Sequence, residues 1–123
     1  MIPPRVLYEL ARVLTARTVR GAAEWQRFKF DRQEYRHPLP RGWVQVRFDE
    51  SRGGANSIGL SVHDHGEEIL GTVFAEEGEE NYDLLADLVF AIQRKMDVNT
   101  KATTDEVIKL INAEKGTPWY PLE

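Results

Sequence analysis

The sequence predicts an α+β fold with an N-terminal helix, a four-stranded antiparallel meander sheet and two C-terminal helices packed on one face of the sheet. Apolar residues recur at helical spacing near the N-terminus, alternate with polar residues through the middle of the chain, and return to helical spacing after the acidic run Glu76–Glu80. Because the sheet and the amphipathic helices each have an apolar face to bury, we expect the helices to cover one side of the sheet.

The first helix is predicted from its ends and from its spacing. Pro3 and Pro4 stand where a helix begins, and Gly21 suits the left-handed conformation at a helix end. The inward side is expected to carry the residues that recur at helical spacing, which are Val6, Leu7, Leu10, Val13, Leu14 and Arg17.

Alternation of apolar and polar residues predicts four strands. They are Trp25–Asp31, Trp43–Asp49, Ser57–Val62 and Glu68–Phe74. In the first two strands we expect the apolar residues to face the helices and the polar and basic residues to face solvent. The inward set is Phe28, Phe30, Val44, Val46 and Phe48, and the outward set is Arg27, Lys29, Gln45 and Arg47.

The segment Gln33–Arg41 is predicted to be a loop or a ragged edge. It contains Pro38 and Pro40, and a proline cannot donate a hydrogen bond to a neighbouring strand. We therefore do not expect it to form a central strand.

The last two strands are predicted to form a hairpin around Asp64–Glu67, with Gly66 adopting a positive φ in the turn. A turn centred on His65 and Gly66 sets the register of the hairpin. It pairs Val62 with Ile69, Leu60 with Gly71 and Ile58 with Val73.

Two helices are predicted at the C-terminal end. The first has apolar residues at helical spacing, which are Leu85, Leu88, Val89, Ile92 and Met96. Thr103–Glu106 has the pattern of a capping box that opens the next helix. In that helix Val107, Ile108 and Ile111 are expected to face inward, and Gly116 is expected to end it.

Length and composition predict one globular domain over residues 1–123, with residues 116–123 as a C-terminal tail. A chain of 123 residues, 41% of them hydrophobic, has the size and apolar content of a single packed domain. The absence of cysteine excludes disulfides, thiolate metal sites and cysteine nucleophiles. No apolar run approaches the length of a membrane span, so the expected location is the cytoplasm.

One set of residues resembles a group of known sequences. It comprises Arg17–Gly21 at the helix end, Trp25, Leu60–Gly66 at the hairpin, and the acidic lead into a leucine-rich helix. Over about residues 5–115 this pattern resembles small bacterial α+β proteins of unknown function. The resemblance implies the fold class and carries over no catalytic residue.

Charge is divided between the two halves of the chain. Residues 1–52 carry 11 Lys and Arg against 6 Asp and Glu, whereas residues 53–123 carry 5 against 14, for a net charge of −4. A molecule with one electropositive and one electronegative region steers encounters with charged partners. The charge pattern therefore indicates contact with a partner as the function.

A partner-binding site is predicted on the face of the sheet that the helices leave free, because arginine and tryptophan are enriched at interface hot spots. Its residues are Trp25, Arg27, Lys29, Trp43, Gln45 and Arg47. Trp119 and Tyr120 in the tail are expected to dock on the chain's own core, on a second copy or on another protein. The predicted function is a non-catalytic protein-interaction or regulatory module that binds another protein or a second copy of itself.

Two other ligand classes stay open. Basic residues interleaved with aromatic ones in the first half are typical of nucleic-acid binders, although the net charge of −4 and the pI of about 5.4 oppose a polyanionic partner. His63 and His65 could bind a metal ion, with Glu68, His37 or Asp64 as a possible third ligand. The competing interpretation of that hairpin is a cross-strand pair of His63 with Glu68.

No enzyme class is indicated by the motifs. Ser51, Ser57 and Ser61 all lie outside a Gly-x-Ser-x-Gly elbow. The adjacent acidic residues are expected to be solvated, whereas acid–base catalysis requires a carboxyl group in an apolar pocket. The sequence therefore predicts no catalytic residue and no cofactor.

Overall fold

The computed structural model describes residues 1–28, 33–51 and 53–115. Its elements, in chain order, are α1 (Pro4–Val19), β1 (Gln26–Arg27), β2 (Gln33–Leu39), β3 (Gly42–Asp49), β4 (Ser57–Asp64), β5 (Ile69–Glu76) and α2 (Tyr82–Lys115). The five strands form one antiparallel sheet in the order β1-β2-β3-β4-β5. The predicted α+β class is confirmed, but the sheet has five strands rather than four and one C-terminal helix replaces two.

Helix α1 ends as its sequence predicts. Gly21 has a φ of +75°, the amide of Gly21 donates to the carbonyl of Thr18, and the amide of Ala22 donates to the carbonyl of Arg17. This pair of hydrogen bonds is a Schellman motif, which satisfies carbonyls that the last turn leaves without partners. The buried stripe of the helix consists of Leu7, Ala11, Leu14 and Thr18.

The predicted inward side of α1 is wrong in part. Leu7 and Leu14 are buried as expected, but Val6 and Val13 are about half exposed. Ala11 and Thr18 take the remaining buried positions because small side chains let the helix approach its neighbours closely.

The segment predicted as a loop forms β2, which pairs with β3 from Gln33 to Leu39. Pro38 is tolerated because it pairs with Trp43 on one side, while β1 reaches only as far as Arg36 on the other. Pro38 has no amide N–H to donate. On its β1 side the described residues provide no neighbouring strand, so the sheet loses no hydrogen bond there.

The two faces of the sheet have different surroundings. One face packs against the helices and supplies most of the core. Its buried side chains are Tyr35, Val44, Val46, Phe48, Ile58, Leu60, Val62, Val73 and Ala75. Neither helix covers the other side, which we call the open face. By the strand register its main residues are Phe28, Glu34, Arg36, Trp43, Gln45, Arg47, Gly59, Ser61, His63, Ile69, Thr72 and Phe74.

The β4–β5 hairpin has a register different from the predicted one. Leu60 pairs with Val73 and Ile58 with Ala75, a shift of two residues that keeps Val73 on the helix face. Ile69, predicted to pair with Val62 on that face, pairs with His63 on the open face instead. A β-bulge follows between Val62 and His63. The residue with positive φ is Glu67, at +66°, rather than Gly66. The turn therefore includes one more residue, as in hairpins where a left-handed residue follows a type I turn.

Helix α2 is continuous through the predicted capping box. The hydroxyl of Thr104 donates to the carbonyl of Thr100, 2.8 Å away within the same helix, instead of capping a new one. With no proline or glycine between residues 82 and 115, nothing in the sequence interrupts the helix. Its 34 residues span about 51 Å.

Only the first half of α2 packs on the sheet. Leu85, Leu88, Val89 and Ile92 are fully buried and Met96 is partly buried, as predicted. Beyond Met96 no described residue of the helix is buried. The expected inward position of Val107 is wrong, since half of its side chain is exposed, and Ile108 and Ile111 are only half-buried.

Candidate functional site

The centre of the open face holds an aromatic and cationic cluster that we call the Arg36 cluster, composed of Phe28, Arg36, Trp43 and His63. Arg36 comes from β2, Trp43 from β3 and His63 from β4, while Phe28 follows β1. All four lie on one face because Phe28 is hydrogen-bonded to Glu34, Arg36 pairs with Gln45 and Trp43 pairs with His63.

Arg36 lies between two aromatic rings. Its guanidinium carbon is 3.5 Å from the centroid of Phe28 and 4.7 Å from the centroid of Trp43. Its Nε donates to the side-chain oxygen of Gln45 at 3.2 Å. Ring faces attract a cation through their quadrupoles, and Gln45 fixes the plane of the guanidinium group. The structure therefore holds this cation in one orientation on the sheet.

Trp43 connects Arg36 to His63. The indole and imidazole planes differ by 7°, with ring centroids 5.2 Å apart. The indole Nε1 of Trp43 is buried and has no hydrogen-bond partner among the described residues. A buried donor without an acceptor is costly and uncommon in native proteins.

His63 is in a setting that disfavours its charged form. Burial and the nearby positive charge of Arg36 lower the pKa of His63 below its ordinary value of 6.5, although the backbone of Glu67 and the charges of Asp64 and Glu67 partly oppose this shift. Its Nε2 lies 2.8 Å from the hydroxyl oxygen of Ser61. The surroundings therefore favour the neutral form of the imidazole.

Arg47, the second arginine of the open face, already has carboxylate partners. Its Nε lies 3.0 Å from a carboxylate oxygen of Asp49, and its terminal nitrogen lies 3.7 Å from the carboxylate of Glu34, which is buried. Its charge is compensated within the chain.

Exposed apolar side chains lie on β5, at the edge of the open face, where Ile69 pairs with His63 of the Arg36 cluster and Phe74 pairs with Gly59, next to Arg47. Phe74 on β5 is 56% exposed and Ile69 is 50% exposed. Between Phe74 and Arg47, Gly59 leaves a hollow, since a Cβ built there would approach only the carbonyl oxygen of Val73, at 4.0 Å. The open face is therefore an uneven surface of mixed aromatic, aliphatic, polar and charged side chains rather than a uniformly charged one.

The strand register corrects the predicted partner site. Arg27 pairs with Tyr35, which pairs with Val46 on the helix face, whereas Arg47 pairs with Glu34 on the open face. The expectation that Arg27 and Arg47 lie together on one face is wrong. Phe28, expected to face inward, lies on the open face instead.

Trp25 is also misplaced by the sequence prediction, because it belongs to the core. Its side chain is 7% exposed, its Nε1 donates to the hydroxyl of Thr18 at 2.9 Å, and its ring packs against His37. Trp43, Gln45 and Arg47 do lie on the open face. The other predicted partner-site residues, Lys29, Trp119 and Tyr120, lie outside the described residues, as does Phe30.

The two histidines of the hairpin have different partners. His63 pairs with Ile69 across the ladder instead of with Glu68. The Nε2 of His65 lies 3.2 Å from the carbonyl oxygen of Pro40, and Glu68 donates its amide to the carboxylate of Asp64. Within the ranges that the structure describes, no group of three or more His, Asp and Glu is arranged to hold a metal ion. The predicted pair of His63 with Glu68 is wrong.

Ser61 and His63 form a hydrogen-bonded pair of the kind found in nucleophilic catalysis. A catalytic pair also needs a cleft for substrate and donors for the oxyanion. The two main clefts of the described structure include neither Ser61 nor His63. On this flat part of the sheet the pair positions the imidazole ring against Trp43.

The larger cleft lies between α1 and α2. It has a volume of about 910 Å³, and the exposed side chains of Val19, Phe90 and Val98 contribute to its wall. It lies on the helix side of the sheet and shares no residue with the Arg36 cluster. Residues of this cleft can therefore serve as controls for substitutions on the open face.

Comparison of the chain with protein-family models, curated proteins and solved structures gave no match. No described helix combines the length and the apolar character that crossing a bilayer requires.

Sequence reasoning missed Arg36 and Phe28 as members of the site. Arg36 falls in the segment predicted to be a loop, and Phe28 was assigned to the wrong face. The character of Trp25 could have indicated the correct face for Phe28. If this large aromatic residue is buried, then residues of the opposite parity, such as Phe28, face the open side.

Proposed function

We propose that this chain is a non-catalytic protein-interaction module that binds another protein on the open face of its sheet. The observation that carries the proposal is the Arg36 cluster, in which Arg36 is held between Phe28 and Trp43 on a surface that no helix covers. Tryptophan, other aromatic residues and arginine are the residue types that contribute most of the energy at protein interfaces.

The surroundings of the cluster support a protein partner. The partly exposed side chains of Phe74 and Ile69 extend the apolar surface, and Arg47 is already compensated by Asp49 and Glu34. An interface core is characteristically apolar and aromatic with few uncompensated charges. A nucleic-acid chain, by contrast, requires several free cations along its path.

Photo-crosslinking from the two sides of the molecule tests this proposal. Phe74 on the open face and Phe90 in the α1–α2 cleft are 56% and 58% exposed, so they form a matched pair. Each is replaced in the full chain by benzoylphenylalanine, and the protein is irradiated in an extract of the organism that encodes it. We expect a discrete protein adduct from position 74 and none of the same mass from position 90.

The adduct also identifies the class of partner. An adduct that forms in the purified protein at twice the chain mass indicates a second copy of the chain. Adducts from position 90 alone, or an adduct from position 74 that nuclease removes, would contradict the proposal.

A further inference from the structure

We infer that the Arg36 cluster is a carboxylate-binding site, and that the partner presents an acidic side chain to it. This inference rests on the proposed function and names the chemistry by which the open face recognises its partner. Three observations support it: within residues 1–28, 33–51 and 53–115 Arg36 has no acidic partner, the indole N–H of Trp43 has no acceptor, and the neighbouring Arg47 is compensated.

The first observation is that Arg36 has no counter-ion within the described part of the chain. No carboxylate among the described residues lies in ion-pair range of its guanidinium group. Its Nε is bound to Gln45, so the terminal nitrogens are the donors that remain. A planar guanidinium with a fixed orientation suits a carboxylate, because two parallel N–H···O bonds form at once. Arg36 is only half-buried, so a carboxylate can reach it.

The second observation is the indole N–H of Trp43. It is buried and has no acceptor among the described residues, on a ring whose centroid lies 4.7 Å from the guanidinium carbon of Arg36. The centre of the cluster is thus rich in donors and poor in acceptors, the complement of a carboxylate.

The third observation is the contrast with other arginines. Arg47 on the same face contacts Asp49 and Glu34, and Arg12 on α1 contacts Glu9. Two aromatic rings stabilise the charge of Arg36 but provide no hydrogen-bond acceptor. Of the two described arginines of the open face, Arg36 therefore lacks an acid partner among the described residues and is held in place by Phe28, Trp43 and Gln45 instead.

A single carboxylate fits this surface better than a phosphodiester chain. Glu34 and Asp49 lie beside the cluster on the open face, and Glu76 lies at the end of β5. Even with Arg47 offsetting part of their charge, these carboxylates leave this part of the face net negative, which disfavours a long phosphodiester backbone that runs along the sheet. One acidic side chain placed on Arg36 avoids them.

Nuclear magnetic resonance of the ¹⁵N-labelled full chain tests the inference. The probes are acetylated tetraglutamate amide and, as a neutral match, acetylated tetraglutamine amide, both at low ionic strength. We expect tetraglutamate to move the indole N–H resonance of Trp43 saturably, with no such response to tetraglutamine. The indole N–H of Trp25, which is bonded to Thr18 in the core, is an internal control and is expected to stay in place.

Two variants with the same change in charge show whether the response requires Arg36. Arg36→Gln is expected to weaken tetraglutamate binding by about tenfold or more, because it removes a charge-assisted hydrogen bond. Arg12→Gln on α1 is expected to bind as the wild type does. The position of the Trp25 indole resonance reports whether each variant is folded. If Arg36→Gln does not fold, the inference is tested by the wild-type chain alone, which is expected to respond to tetraglutamate and not to tetraglutamine.

Equal responses to the two peptides, or no movement of the Trp43 resonance at millimolar tetraglutamate, would overturn the inference. Tighter binding of oligothymidylate than of tetraglutamate would replace the acidic protein partner with a nucleic acid. The proposed function has a separate outcome. An adduct from position 74 without a response to tetraglutamate would retain the protein-binding face and reject carboxylate recognition.

Discussion

The indole ring of Trp43 and the imidazole ring of His63 stack across β3 and β4, with centroids 5.2 Å apart and planes 7° from parallel. Arg36 belongs to the same cluster as these two rings. The protonation state of His63 and the position of the Trp43 indole are therefore linked. A proton on His63 would place a second positive charge beside the guanidinium group of Arg36.

The stability of the protein is expected to fall as His63 becomes protonated. Burial, followed by the charge of Arg36, lowers the pKa of His63 below 6.5, so the unfolded chain binds the proton at a higher pH than the folded chain does. Unfolding therefore becomes easier as the pH falls through 6.5, and the effect levels off below the folded pKa. The free energy of unfolding in urea, measured across this range, is expected to depend less on pH in His63→Gln. Parallel pH profiles for the two proteins would show that His63 is not the group responsible.

Thr18→Val is expected to destabilise the protein by about 1–3 kcal/mol, because it leaves the buried indole N–H of Trp25 without its acceptor. Thr15→Val is the matched control. Both hydroxyls donate to the carbonyl four residues earlier, but only that of Thr18 also receives a hydrogen bond from Trp25. The measurement is the free energy of unfolding in urea, and equal losses in the two variants would contradict this role for Thr18.

Gly42→Ala is expected to cost about 1–3 kcal/mol of stability. A Cβ at Gly42 would lie 1.8 Å from the backbone oxygen of His63, whereas a Cβ at Gly59 would meet only the carbonyl oxygen of Val73, at 4.0 Å. Gly59→Ala in the same sheet is therefore expected to change stability by less than about 0.5 kcal/mol. Thermal and urea unfolding of the two variants provide the comparison. A tolerated alanine at position 42 would show that β3 and β4 are farther apart than the structure has them.

Val89 and Val107 test where the core ends along α2. They are 18 positions apart, about five turns at ~3.6 residues per turn, and so they lie on the same side of the helix. Val89 is fully buried and Val107 is 50% exposed. Val89→Ala is expected to cost about 2 kcal/mol of the free energy of unfolding, and Val107→Ala less than about 0.5 kcal/mol. Similar losses at both positions would mean that the second half of α2 also packs against the core.

Much of the fold could be predicted from local patterns. The end of α1 at Gly21, the inward positions of Val44, Val46 and Phe48, and the buried stripe of α2 from Leu85 to Met96 all follow from periodicity and from residue-specific backbone preferences. These features depend on residues close together in the chain, where spacing determines which side chains share a face.

The candidate site was less predictable for a physical reason. The face on which Phe28 lies is set by Trp25, which is anchored to Thr18 on another element. The strand around Arg36 forms despite Pro38 because β1 ends before it reaches the proline. In both cases a contact with a separate element outweighs the local preference.

By itself, the sequence determined the α+β class, the two faces of β3 and β4, and the charged residues available to the surface, because alternation and helical spacing are local properties of the chain. Only the tertiary structure decided that α2 is one helix, that Arg27 and Arg47 lie on opposite faces, and that Arg36 lies between Phe28 and Trp43. Those outcomes depend on strand register and on packing between distant segments, which no local pattern contains.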